Sequence, residues 1–314
     1  MSKTTTPALN IKRERSANKQ MTIREWALIG LLSVFWGSSF FFMKFAVAEI
    51  PPLTIMAARI SIAAVFLLIV SAVRRENLPN TWKNWGEFLI MGLLSNVIPF
   101  SLIIWGLQYI DSSLGSLLNA TTPIFSVILV SILTKDDQLT PNRIIGVITG
   151  WFGVAVLIGL GAILHMDGHI GGQFAVLGAS SSYALSAIFG RRFKKFSPLT
   201  AASAMLTCGS VVAIPTALII EQPWTLIPGI SFMAIGAAVM LGVVCTGTAY
   251  LIYYRVLATA GPTNVLLVTF LVPVTASLLG IIILGEILTI NTIAGAVLLF
   301  VGLMLIDGRI LKLR

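Results

Sequence analysis

The sequence predicts an all-α polytopic membrane protein of ten transmembrane helices, laid out as two inverted five-helix repeats. Three observations carry this reading: scarce charge, apolar segments of uniform length, and two halves whose marker residues match in order. Of 314 residues, 57% are apolar and only 11% are charged, and the mean hydropathy is +0.95. A soluble chain of this length needs more charged surface, so the composition points to a bilayer.

Residues 1–25 are polar and mixed in charge and read as a disordered cytoplasmic tail, with Met21 an alternative start. Ten apolar segments follow, at 26–50, 52–73, 85–109, 112–133, 143–164, 171–190, 197–220, 231–254, 262–285 and 290–308. Each is close to the ~20 residues a helix needs to cross ~30 Å of hydrocarbon. They are too long and too uniformly apolar for barrel strands. The first is a full span rather than the short core of a cleavable signal. The links are rich in Pro, Gly, Asn and Asp, as in "EIPPLT", "TKDDQLTPN" and "ATAGPTN".

Lys and Arg set the direction. With the N-terminus in the cytoplasm, 19 of the 21 basic residues fall in the tail, in alternate links or at the C-terminus. The opposite links hold none and carry Glu49, Asp111, Asp167, Glu221 and Glu286. This is a strong positive-inside signal and places both termini in the cytoplasm of a plasma membrane, the inner membrane in a bacterium. The net charge of +9 is therefore a topology device, and no nucleic-acid partner is expected. Lys44 and Arg59 are the two cations that break the rule.

The halves match. Pro123 falls on Pro273, Asp136 on Glu286, Thr140 on Thr289, Gly146 on Gly295 and Gly153 on Gly302, and "PLT" at 52–54 matches "PLT" at 198–200. The repeats are 26–164 and 171–308. Five spans is an odd number, so the second copy runs the opposite way. Secondary transporters often use this plan, with the substrate site between the repeats near the midplane. Together "WGSSF" with "MK", "AAR", and "LVPVTASLLGIIILGEILT" followed by "IAGAVLLFVGLML" resemble the EamA-type branch of the drug/metabolite transporter superfamily, over about residues 26 to 308. One departure is "TKDDQLT", where that family shows Gly-Glu; Asp136 stands in its place. The resemblance implies export of a small metabolite, an amino acid or related compound, without naming it.

Polar groups inside spans are the site candidates, since each is costly in lipid unless paired or wet. Trp36, Ser39, Asn96, Asn119, Thr122, Tyr183, Thr248, Tyr250 and Thr269 are expected around one substrate cavity, and Pro123 and Pro273 free backbone carbonyls there. Ser and Thr also bond neighbouring carbonyls, and Gly146 with Gly150 reads as a close-packing pair. Lys44 and Arg59 are expected at matching depth below the outer surface. Each could snorkel, bind an anionic substrate group, or pair with an acid. The favoured arrangement is an outer gate pair of Lys44 with Glu286, mirrored inside by Asp136 near Arg191 and Arg192. Arg59 is then left as a ligand contact or a donor to helix ends.

Other classes find less support. An intramembrane enzyme would need a nucleophile pair, acid dyad or metal motif within the spans, and none is present; a scaffold or receptor would need no polar cavity. "HMDGH" at 165–169 offers too few ligands for a closed metal site, and Cys208 and Cys245 read as buried thiols. No cofactor is expected. The expected partners are lipid and a small-molecule substrate, and the expected state is a monomer. With no acid in the first span before Glu49, a facilitator or exchanger fits better than proton antiport through a central carboxylate.

Overall fold

The computed structural model describes residues 21–134, 140–159, 168–225 and 229–308. Its helices are α1 (Ile23–Ala46), α2 (Pro52–Val73), α3 (Trp82–Gly106), α4 (Ser112–Leu133), α5 (Pro141–Ile158), α6 (Gly168–Phe189), α7 (Pro198–Glu221), α8 (Phe232–Ala260), α9 (Val268–Leu284) and α10 (Ile290–Asp307). Eight of them, all but α6 and α9, are long and apolar enough to cross a membrane. Helix α9 is apolar but shorter and is preceded by the turn Pro262–Val265. No strand occurs among the described residues.

The boundaries follow local chemistry. Helix α1 starts at Ile23, earlier than the apolar segment, because Thr22 and Glu25 cap each other: the Glu25 amide donates to Thr22 Oγ1 at 3.3 Å and the Thr22 amide to Glu25 Oε2 at 2.7 Å. Helix α8 continues past the apolar segment to Ala260, where Gly261 at φ 84° ends it. Arg255 thus sits in a helix rather than in a link. Helix α4 is broken at Ala120–Thr121, ahead of Pro123, which has no N–H to continue the ladder. Helix α9, by contrast, runs unbroken through Pro273. Helices α3 and α8 each contain a π-helical stretch, Leu93–Val97 and Val243–Thr248.

The two ends of the bundle share local helix caps and differ in the carboxylates added at one of them. Thr22, Thr81, Thr140 and Ser197 cap α1, α3, α5 and α7 locally, each accepting a backbone N–H three residues on. At the other end Ser231 and Thr289 cap α8 and α10 in the same way, and distant carboxylates meet the starts of α2, α4 and α8. Glu221 accepts from the Leu53 and Thr54 amides (2.9 and 2.7 Å), Glu286 from the Ser112 and Ser113 amides (2.7 and 3.0 Å), and Glu49 from the Ser231 amide (2.7 Å). Unpaired amides and the helix dipole both favour an anion there. We refer to this end as the acidic face.

Packing puts α5 against α10, α2 against α7, and α4 against α9; α1 lies on α8 and α9, as α6 lies on α3 and α4. The α5–α10 contact is made by glycines. A Cβ on Gly146 would lie 2.7 Å from the Gly302 carbonyl oxygen, and one on Gly153 would lie 2.8 Å from that of Gly295. No larger residue fits such a backbone approach. With α5 and α10 spent on each other, the remaining helices surround the interior.

Candidate functional site

That interior holds a cavity of about 570 Å³. It runs from Met43, Arg59 and Phe100 near the acidic face to Ala187, Leu257 and Leu266 near the other end. Its wall draws on α1 to α4 and on α6 to α9, with none of its residues from α5 or α10.

Of the residues singled out in the sequence, Trp36, Ser39, Asn119, Thr122, Tyr183, Tyr250 and Thr269 line this cavity. Two others do not. Asn96 is fully buried behind the wall; its amide donates to Ser95 Oγ (3.0 Å) and accepts from the Tyr250 hydroxyl (3.3 Å). It therefore positions Tyr250 rather than facing the cavity. Thr248 closes the π-helical stretch of α8 and stands off the wall. Both π stretches lie beside the cavity, where the looser turn re-aims side chains. Thr246, within the second, donates to the Leu241 carbonyl at 2.8 Å and presents its oxygen to Arg59. Asn119 Oδ1 is buried without a hydrogen-bond partner.

Arg59 is the one charged residue on the described wall. It is 4% exposed. Its Nε donates to Thr246 Oγ1 at 2.9 Å, its Nη1 to the Met43 sulfur at 3.2 Å, and its guanidinium carbon lies 3.8 Å from the Phe100 ring centroid. Desolvating such a cation costs several kcal/mol, and a buried cation–π contact returns only about 2 kcal/mol of it.

Lys44 is held elsewhere. Its ammonium donates to the carbonyls of Leu107 (2.8 Å) and Ile110 (2.9 Å), at the end of α3. Glu286 is occupied by the N-terminus of α4, including the Ser113 hydroxyl. The expected Lys44–Glu286 pair is not made in this structure: the ammonium meets carbonyls just past α3 and the carboxylate the amides that start α4, each of opposite polarity to its charge, which gives several hydrogen bonds where an ion pair would give one. Both still border a second, smaller pocket with Glu49 and Asp111. Burial alone would raise the Glu286 carboxyl, but its bonds from Ser113 and Ser112 outweigh that and hold it below its ordinary value. Asp111 is raised, by burial and then by Glu286. On the opposite face Arg191 is exposed and Arg192 lies over the Phe189 ring at 4.6 Å; Asp136, their expected partner, lies outside the described residues, as do His165 and Asp167.

Sequence reasoning missed Met43, Phe100 and Tyr254 on the wall. Apolar periodicity does not separate a side chain facing lipid from one facing a cavity. Among the described residues, no three His, Cys, Asp or Glu are grouped to hold a metal.

A model described as the EamA-like transporter family matches residues 24–159 and, a second time, residues 170–307. The chain belongs to the EamA-like transporter family. Chains similar to it include the "Uncharacterized transporter YoaV" of Bacillus subtilis, 26% identical over 88% of this chain and 94% of that one. An "Uncharacterized transporter" of Archaeoglobus fulgidus is also 26% identical, over 90% and 99%. The "Uncharacterized inner membrane transporter YedA" of Escherichia coli is 27% identical, over 89% and 90%. A solved crystal structure of a protein with 18% identity aligns with TM-score 0.64 over 92% of this chain and 98% of its own, a likeness of fold. This EamA-family chain is thus a multi-pass membrane protein of a transporter family, with an interior cavity whose wall is drawn from both matched stretches.

Proposed function

We propose that the protein exports a small metabolite, an amino acid or related compound, from the cytoplasm by alternating access through the 570 Å³ cavity. The observation that carries this reading is the shared wall: α1 to α4 from one family match, α6 to α9 from the other. A scaffold or receptor needs no such space. The proposed architecture is ten transmembrane helices in two inverted repeats, α1–α5 and α6–α10. In support, the packing partners exchange under that pairing. Helix α1 lies on α8 and α9 as α6 lies on α3 and α4, and Gly146 meets Gly302 as Gly295 meets Gly153. Two such halves can rock about the cavity so that it opens to one side at a time.

In the proposed orientation the acidic face is outside and both termini are cytoplasmic, as the distribution of Lys and Arg requires. The structure then corresponds to a state closed outside. Lys44 and Glu286 tie α1, α3, α4 and the α9–α10 link together there, while the cavity extends toward the cytoplasmic ends of α6, α8 and α9.

The test is the metabolite profile of the medium of cells with and without the protein. Excess of a small metabolite should accompany the wild type and fall with Asn119→Ala or Tyr250→Phe at equal membrane abundance. Identical profiles with and without the protein would overturn the transport reading. For orientation, a cysteine at Gln222 should react with an impermeant thiol reagent from outside and one at Lys194 should not; the reverse pattern sinks the assignment. Cys208 and Cys245 are buried and give little background.

A further inference from the structure

We infer that Arg59 is the binding site for a carboxylate, and that the transported solute is a small organic monoanion with an apolar or aromatic body; this rests on the transport reading above. The argument starts from charge. A guanidinium keeps its proton in proteins, and a buried charge is normally paired. Arg59 is 4% exposed, and no acidic residue shares the described wall with it. Of the acids described at that end, Glu49 meets the start of α8, Glu221 that of α2 and Glu286 that of α4, and Asp111 borders the smaller pocket with Lys44 rather than the wall that carries Arg59. The protein thus holds a cation at the cavity wall and places its described nearby anions on helix starts or beside Lys44, off that wall.

The geometry matches a carboxylate. Thr246 fixes Nε and Phe100 covers one face of the guanidinium, so its plane is set. One Nη1 hydrogen goes to Met43, and the other Nη hydrogens have no described protein acceptor. A planar fork with free N–H groups is the donor set that a carboxylate takes bidentately. One cation balances one negative charge, which favours a monoanion over a phosphate dianion. The rest of that wall supplies Trp36, Phe40, Tyr250 and Tyr253, ring surfaces suited to an apolar body. A purely structural bridge from α2 to Thr246 needs no charge; glutamine would span it.

The experiment measures melting of the detergent-purified full chain with 3-phenylpropionate, its amide and phenethylammonium. The carboxylate should stabilise the wild type and bind at least about tenfold more tightly than the isosteric amide, the margin expected of charge-assisted hydrogen bonds. Arg59→Gln should erase that preference and Arg59→Lys should keep part of it. Equal shifts from acid and amide, no shift from the acid, or an unchanged preference in Arg59→Gln would overturn the inference. Should Arg59→Gln not fold, the wild-type contrast between acid and amide decides. Proteoliposome flux separates the two readings. Arg59-dependent binding without flux would leave the carboxylate site standing and count against transport. Flux that ignores both the probe's charge and Arg59→Gln would do the reverse.

Discussion

Lys44 and Arg59 stand on neighbouring helices near the acidic face, and they are the only basic residues that the chain sets among apolar residues away from its basic end. One reaches backbone carbonyls, the other a cavity wall. Lys44 ends on the carbonyls of Leu107, the cap residue of α3, and Ile110, in the link to α4. Arg59 ends on a hydroxyl, a sulfur and a ring, with hydrogens left over. The contrast separates two uses of a costly charge. A cation whose donors are met by carbonyls holds the fold. A cation whose donors are met only in part, beside open space, has capacity for something that comes and goes.

The comparison breaks first at Lys44. Lys44→Met keeps most of the apolar stem and removes both hydrogen bonds, leaving two carbonyls short of a donor. The expected loss is about 2–3 kcal/mol, since bonds to a charged donor are the stronger kind. Melting in detergent should show it, while flux per folded molecule stays near wild type. A variant as stable as wild type would mean that water replaces the ammonium at no cost. A variant that is stable but silent in transport would move Lys44 into the same class as Arg59.

Glu286 sharpens the same point with a smaller effect. Glu286→Gln weakens the cap on α4 and should cost about 1–2 kcal/mol. The pH dependence has a definite sign. The folded carboxyl lies below its ordinary value of 4.5, so its contribution is present above that value and is lost as pH falls through the folded one. The gap between wild type and Glu286→Gln should therefore close in acid. Asp111, raised by burial and by Glu286, acts in the opposite sense: its share of stability falls as pH rises above 3.8. A charge swap of Lys44→Glu with Glu286→Lys should not recover what each single change loses, because each residue serves a different helix end. Recovery would restore the ion pair as the organising contact.

These sites also show how far sequence reaches. Each apolar segment overlaps one of the described helices, with most ends within four residues and the ends of α5 and α8 and the start of α9 six residues off, because span length and link composition are local properties. Seven polar or aromatic residues in those segments stand on one cavity wall for the same reason: a polar side chain in lipid needs either a partner or a wet interior. Partner choice was not legible. The groups that hold Lys44 are carbonyls, which every residue has. The receiver of Glu286 is the start of a helix more than 170 residues away. The π stretches in α3 and α8 left no clear mark either; Pro99 follows the first closely, but no proline follows the second. Asn96 looked like a wall residue and proved to be the support for Tyr250, a distinction that depends on which way a half-turn faces.

The finest test of the comparison is Thr246→Val, which leaves Arg59 in place and removes what aims it. Valine keeps the volume and deletes the hydroxyl that takes the Nε hydrogen and bonds the Leu241 carbonyl. Were Arg59 a structural bridge like Lys44, this change would be its mirror and would appear mainly in stability. On the carboxylate reading, Nε faces a cavity where water can take its hydrogen, so the stability loss should stay near 1 kcal/mol. The guanidinium keeps its charge but loses one of the contacts that set its plane. Binding of 3-phenylpropionate should therefore weaken by only about threefold, the scale of a lost orientation rather than a lost charge. The amide probe, which does not depend on that plane, should bind as before. A large loss of stability with unchanged discrimination between acid and amide would place Arg59 beside Lys44 after all. A selective loss for the acid, small and without unfolding, is the signature of a cation held ready for an anion.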